Sequence, residues 1–223
     1  MKSSTSISTL IKLSLIAALI SLNSCDSDQN RLHIEGMVND PQLDIPVENA
    51  QVNLATKQMS NGTWSNTYTT IEETQSGTDG RFAFDFEFNY TTGYRLILSK
   101  SNYYSVSSEF TENDFESERF YSNQFEMTPK SYLEIHFRND FPFDENDRIS
   151  YHIVGWERTG DDCCTAGFQE LIGDNIDQTI TCSVDGEKEY LLEYVVTRNN
   201  NTQALTKTFF AKAFESQVIE LFY

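Results

Sequence analysis

Phe82, Phe84, Phe86 and Phe88 alternate with Ala83, Asp85, Glu87 and Asn89. Successive side chains of an extended strand point to opposite faces, so this run sets four phenyl rings on one side and small or polar groups on the other. Burying one such ring is worth about 2 kcal/mol, and a face of four demands cover from a second sheet. A row of rings can also serve as a stacking platform for sugars or bases. Such platforms favour Tyr and Trp, whose polar edges tolerate water, whereas bare phenyl rings suit a core. The run therefore predicts a β-sandwich.

The flanking segments follow the same period. Leu32 and Ile34 lead a strand to Val38, which Pro41 and Pro46 then break, since proline has no N–H for a ladder. Val52 and Leu54 share one face of the next strand, and Thr67 to Thr74, Tyr94 to Lys100 and Tyr103 to Phe110 continue the pattern. Asp79-Gly80 reads as a tight hairpin turn that needs positive φ. No ten-residue stretch shows helical period, so the predicted class is all-β. Thr128-Pro129-Lys130 marks a boundary. Beyond it six short strands are expected, around Leu133 to Phe137, Ile149 to Ile153, Ile180 to Cys182, Tyr190 to Thr197, Ala204 to Phe210 and Gln217 to Phe222. The expected architecture is two consecutive β-sandwich domains, 31–128 and 129–223.

The first of these carries a family pattern. Gly36-Met37-Val38, Pro46-Val47-Glu48-Asn49-Ala50, Thr78-Asp79-Gly80-Arg81-Phe82, and a strand from Tyr94 to Lys100 before the pair Tyr103-Tyr104 stand in order. Together they resemble the carboxypeptidase regulatory-like domain, a prealbumin-like sandwich, over residues 31–128. The resemblance implies seven strands and an accessory or binding module without catalytic residues of its own.

Residues 1–24 hold Lys2 and Lys12, no acid, and an apolar segment from Leu13 to Leu22. That segment is too short to span a bilayer, which takes about 20 apolar residues, and reads as the core of a secretory signal peptide. It ends in Leu22-Asn23-Ser24-Cys25, which resembles the lipobox of bacterial lipoproteins. The resemblance implies cleavage before Cys25 and acylation there, palmitate-type chains anchoring the chain to a membrane, with residues 25–30 as lipidated Cys and tether. The expected location is the cell envelope, at the outer membrane, with the inner membrane left open.

The chain has 16 Lys and Arg against 34 Asp and Glu, a net charge of −18. Removing residues 1–24 takes this to −20. Such a surface repels phosphate backbones, so no nucleic acid is expected as a partner.

Candidate chemistry is sparse. Cys163 and Cys164 precede Cys182, and in an oxidising compartment one disulfide is expected, Cys164 to Cys182, with Cys163 as the alternative partner. Asp144, Glu145 and Asp147, with Asp140, could offer oxygen ligands to calcium, although the EF-hand glycine is absent and a solvated acidic loop is the other reading. His33, His136 and His152 each fall opposite an apolar face and are expected to be exposed. Trp64 and Trp156, with Tyr103 and Tyr104, are candidate glycan-stacking residues if exposed. Asp161, Asp162 and Cys163 are the only grouping that could suggest a hydrolase. There is no His-x-x-Glu pair, no Gly-x-Ser-x-Gly elbow and no cofactor motif. The expectation is a non-enzymatic envelope lipoprotein presenting its loops to a protein or glycan.

Overall fold

The computed structural model describes residues 31–60, 63–87, 91–115, 119–160 and 162–223. The signal segment, Cys25 and the tether lie outside the described residues, as do Phe88 and Asp161. The described chain is all-β.

Eight strands come first: β1 (Arg31–Asp40), β2 (Ile45–Pro46), β3 (Gln51–Ser60), β4 (Thr63–Gln75), β5 (Arg81–Glu87), β6 (Tyr94–Ser99), β7 (Val106–Phe110) and β8 (Phe120–Glu126). One sheet has β1 between antiparallel β5 and parallel β8, with β2 closing on the end of β1. The other runs β4-β3-β6-β7, wholly antiparallel. Phe82, Phe84 and Phe86 are buried between the two sheets, against Leu32 and Ile34 of β1, Val52 and Leu54 of β3, and Leu96 and Leu98 of β6. The polar alternates of β5 are exposed, as period-2 geometry requires. Gly36 sits in the middle of β1 because a Cβ there would fall 2.4 Å from the Phe82 ring. Gly80 turns the chain into β5 at φ 76°, a region closed to most side chains.

Seven strands follow: β9 (Lys130–Arg138), β10 (Arg148–Ile153), β11 (Gln169–Ile172), β12 (Asp177–Asp185), β13 (Lys188–Arg198), β14 (Asn201–Ala211) and β15 (Ser216–Phe222). They form one sheet in the order β11-β10-β13-β14 and another in the order β12-β9-β15. Asn199 and Asn200, at φ 48° and 56°, make the two-residue turn of the β13–β14 hairpin. A second buried cluster fills the space between these sheets, with Leu133, Ile135 and Phe137 of β9 and Ile219 of β15 on one side and Ile149 and Leu192 on the other.

The two clusters close in the same way. β8 lies parallel to β1, and β15 lies parallel to β9, each pairing the first long strand of a cluster with its last. A parallel first and last strand send the chain in at one end of a sandwich and out at the other. β9 starts four residues after β8 ends, so the second sandwich continues from the end of the first.

Three strands have no counterpart in the sequence reading: β8, β11 and the two-residue β2, which falls where a break is expected at Pro46. The strand expected from Tyr103 starts only at Val106, because Tyr103 and Tyr104 are divided between the two clusters.

Candidate functional site

Two places gather polar and aromatic side chains, the junction between the clusters and the loop at the far end of the second sandwich.

At the junction the chain is extended, so adjacent side chains diverge. Tyr103 turns into the first cluster, where Phe214 packs on it at 5.2 Å between centroids. Tyr104 turns into the second, where its hydroxyl donates to Ser183 Oγ at 2.9 Å. The Arg158 guanidinium lies 4.1 Å and the Lys130 ammonium 5.0 Å from the Tyr104 ring centroid. Both cations are neutralised, Arg158 by Asp185 at 2.9 Å and Lys130 by Asp162. Main-chain bonds complete the seam, from Lys130 N to Asn102 O at 2.8 Å and from Tyr104 N to Thr128 O at 3.0 Å. Burial raises both phenols, Tyr103 to about 12. An open groove of about 460 Å³ runs beside this seam, lined in part by Ile45, Lys100, Tyr103 and Phe214.

Tyr103 and Tyr104 are therefore not stacking residues. Their rings, 6% and 7% exposed, join the two cores. Trp156 is corrected in the same sense. It is 5% exposed, and its Nε1 donates to Cys164 O at 2.7 Å, because a buried indole N–H must find an acceptor. Trp64 pairs through its backbone with Met59 in the β3–β4 hairpin, and its side chain lies outside the described residues.

Cys164 and Cys182 are joined, tying the segment after Trp156 to β12, and Cys163 remains a thiol. Burial pushes the Cys163 pKa up, and the Asp162 charge adds to the rise, so the thiolate nucleophile is disfavoured. Asp162 is itself engaged by Lys130.

His33, His136 and His152 stand opposite the apolar faces, but each is half-buried rather than exposed. Each lies near a carboxylate: Glu35 at 3.7 Å, Asp177 at 2.7 Å and Glu193 at 3.6 Å.

The distal loop runs from Asn139 to Asp147, between β9 and β10. Its acids are not gathered around one point. Asp147 is fully buried, and its Oδ2 accepts from Phe143 N at 2.7 Å and Asn139 Nδ2 at 2.9 Å. Burial works to raise the Asp147 pKa, but these donors, with Asp144 N–H and the charge of Arg198, outweigh it and hold the carboxyl below its ordinary value. Asp144 Oδ1 is taken by Asn146 N at 2.8 Å, while Glu145 points to solvent. Among the described residues no three His, Cys, Asp or Glu side chains are grouped to hold a metal ion. The inward turn of Asp147 is the reason: its carboxylate braces the loop and is not offered outward.

Two residues that the sequence reading passed over are carried on that brace. Phe141 is 71% exposed and Phe143 57%, on either side of Pro142. The flanks are pinned as well, by Asp140 N to Tyr223 O at 2.7 Å and Gly173 N to Asp147 O at 2.8 Å. Ile172, 58% exposed, belongs to the neighbouring segment at this end. The available signal was a Phe-Pro-Phe triplet with no alternating partner, inside an otherwise acidic loop. A rigid loop that holds two bare rings in water, with Asp144 and Glu145 beside them, is suited to docking.

No family model matches the chain, and no curated protein matches it. Among solved structures it is similar to the TIE protein of Bacillus anthracis, at 10% identity and a TM-score of 0.37, over 87% of this chain and 34% of that one. A Streptococcal ancillary pilin gives 8% identity and a TM-score of 0.37, over 88% and 63%. The shaft pilin SpaA of Lactobacillus rhamnosus GG gives 7% and 0.34, over 86% and 97%. The chain thus spans about a third of the first of these proteins and under two thirds of the second. The fold rests on the ladders described above.

Proposed function

We propose that the chain is a non-enzymatic envelope lipoprotein, moored through Cys25 at the outer membrane, whose two sandwiches, 31–128 and 129–223, hold a protein-recognition loop away from the lipid. The first sandwich is read as a carboxypeptidase regulatory-like domain on the residues that resemble that family. The observation that carries the reading is the Phe141–Phe143 pair, exposed on a loop that a buried carboxylate braces. Rings held out at this rigidity lose little entropy on binding. Position supports it too. The loop stands at the opposite end of the tandem from Arg31, two strand lengths of about 30 Å each away. A glycan partner finds no support at Trp156, Tyr103 or Tyr104, which are buried.

Two measurements test this. Mass spectrometry of the mature protein should find an acylated Cys25 at its N-terminus; an unmodified terminus elsewhere removes the anchor. A photo-crosslinking phenylalanine placed at position 141 in intact cells should yield a discrete protein adduct that the same group at exposed Thr67 does not. No adduct from 141 rejects the loop as the recognition surface.

A further inference from the structure

Sheet edges present unpaired N–H and C=O groups, and proteins guard them with charge, bulges, shortness or cover. Most edges here are guarded. β5 carries Arg81, Asp85 and Glu87. β4 carries Glu72 and Glu73, and its ladder shifts register twice. β7 and β11 are five and four residues long, with Glu109 and Glu170. β8 and β15 contain Glu126 and Glu220. β12 begins and ends in Asp, is bonded at Ser183 to the main chain of Asp162 and Cys164, and bears the disulfide.

β14 is different. Its eleven residues pair with β13 without a register shift, and no strand lies on its other side among the described residues. It has no proline and no acid, and Lys207 is its single charge. All of it except Leu205, Phe209 and Ala211 is exposed.

We propose that β14 is a self-association edge, along which a second copy of this chain pairs its own β14, antiparallel, about a two-fold axis at Thr206. The choice of a second copy rests on charge. In a chain of net charge −18, each of those edges carries at least one acid toward another strongly acidic copy. β14 brings none. Antiparallel pairing centred on Thr206 sets Thr206 against Thr206, Ala204 against Thr208 and Leu205 against Lys207, with no like charges directly opposed. Strands of this length exchange about ten hydrogen bonds, as many as a typical specific interface carries. Because the contact is isologous it consumes the edge on both copies, and assembly stops at two. The pairing does not involve the distal loop and stands apart from the recognition role proposed above.

Sedimentation equilibrium of the full chain in density-matched detergent provides the test. Wild type should approach twice the monomer mass as concentration rises. Thr206→Lys sets two ammonium groups on the axis and should raise the dimer dissociation constant about tenfold or more, with the melting curve unchanged at concentrations where both proteins are monomeric. Phe141→Ser should leave the association as it is. A nitroxide on Thr206→Cys, in a chain with Cys25→Ser and Cys163→Ser, should show dipolar broadening, while one on Thr67→Cys of β4 should not. A wild type that stays monomeric at every concentration overturns the proposal. So does a dimer indifferent to Thr206→Lys, or broadening at position 67 and not at 206.

Discussion

At the junction, Tyr103 and Tyr104 are sunk into two separate cores, and the cations over them are answered, Arg158 and Lys130 by carboxylates and Lys100 by the main-chain oxygen of Glu48. At the distal loop, Phe141 and Phe143 stand in water, and the nearest buried carboxylate, Asp147, is spent on main-chain and amide donors beneath them. Both places are made of aromatic rings and acids. They differ in what faces the rings: a second sandwich at one end, solvent at the other. Residue type therefore does not separate a structural rivet from a docking surface, whereas the presence of a covering element does.

Four variants would break or sharpen that contrast. Tyr104→Ala should be the most damaging, at about 4 kcal/mol, since it removes a buried ring together with the hydrogen bond to Ser183; a denaturant series that moved by less than about 1 kcal/mol would show the junction to be loose. Next comes the double replacement Cys164→Ala with Cys182→Ala, which opens a loop of 18 residues and should lower stability by about 3 kcal/mol. Calorimetry with and without reductant checks this, the reductant having no further effect on the variant.

Asp147→Asn should cost about 2 kcal/mol, and it carries a pH signature. The folded pKa of Asp147 is depressed. Its contribution is thus complete above the unfolded value of about 3.9 and is lost as pH falls through the lower, folded value. Wild type and variant should converge in stability on acidification, and parallel acid-denaturation curves would contradict the assignment. Phe141→Ser belongs at the bottom of the scale, within about 0.5 kcal/mol of wild type. A large loss of stability there would mean that the ring is packed, and the distal loop would cease to be a recognition surface.

Much of this fold can be read from local pattern, because period-2 alternation is a property of the strand itself. Phe82, Phe84 and Phe86 against Ala83, Asp85 and Glu87, and Leu133, Ile135 and Phe137 against Glu134 and His136, show buried and solvent-facing sides without reference to anything distant. β8 escapes such a reading. Only Tyr121 and Phe125 are buried in it, with exposed Asn123 between them, and its partner residues on β1 lie 87 positions earlier. β11, at four residues, is too short for a period to register. Tyr103-Tyr104 defeats local reading for a different reason, since one face of that dipeptide belongs to each core. The acids of the distal loop looked like ligands because sequence gives charge but not direction. Asp147 turns inward to the donors of Phe143 and Asn139, and that direction is set by the fold. Trp156 is a parallel case, its N–H satisfied by a carbonyl eight residues on.

The parallel pairing of first with last strand bears on how the molecule carries load. A pull that separates Arg31 from Phe222 drags β1 and β8 past each other along their length, and does the same to β9 and β15. Each ladder spans seven residue pairs, and its bonds are strained together instead of being peeled open singly. The two sandwiches thus form links in series with ladders of equal length, and a tether at one end with a grip at the other would put tension across both.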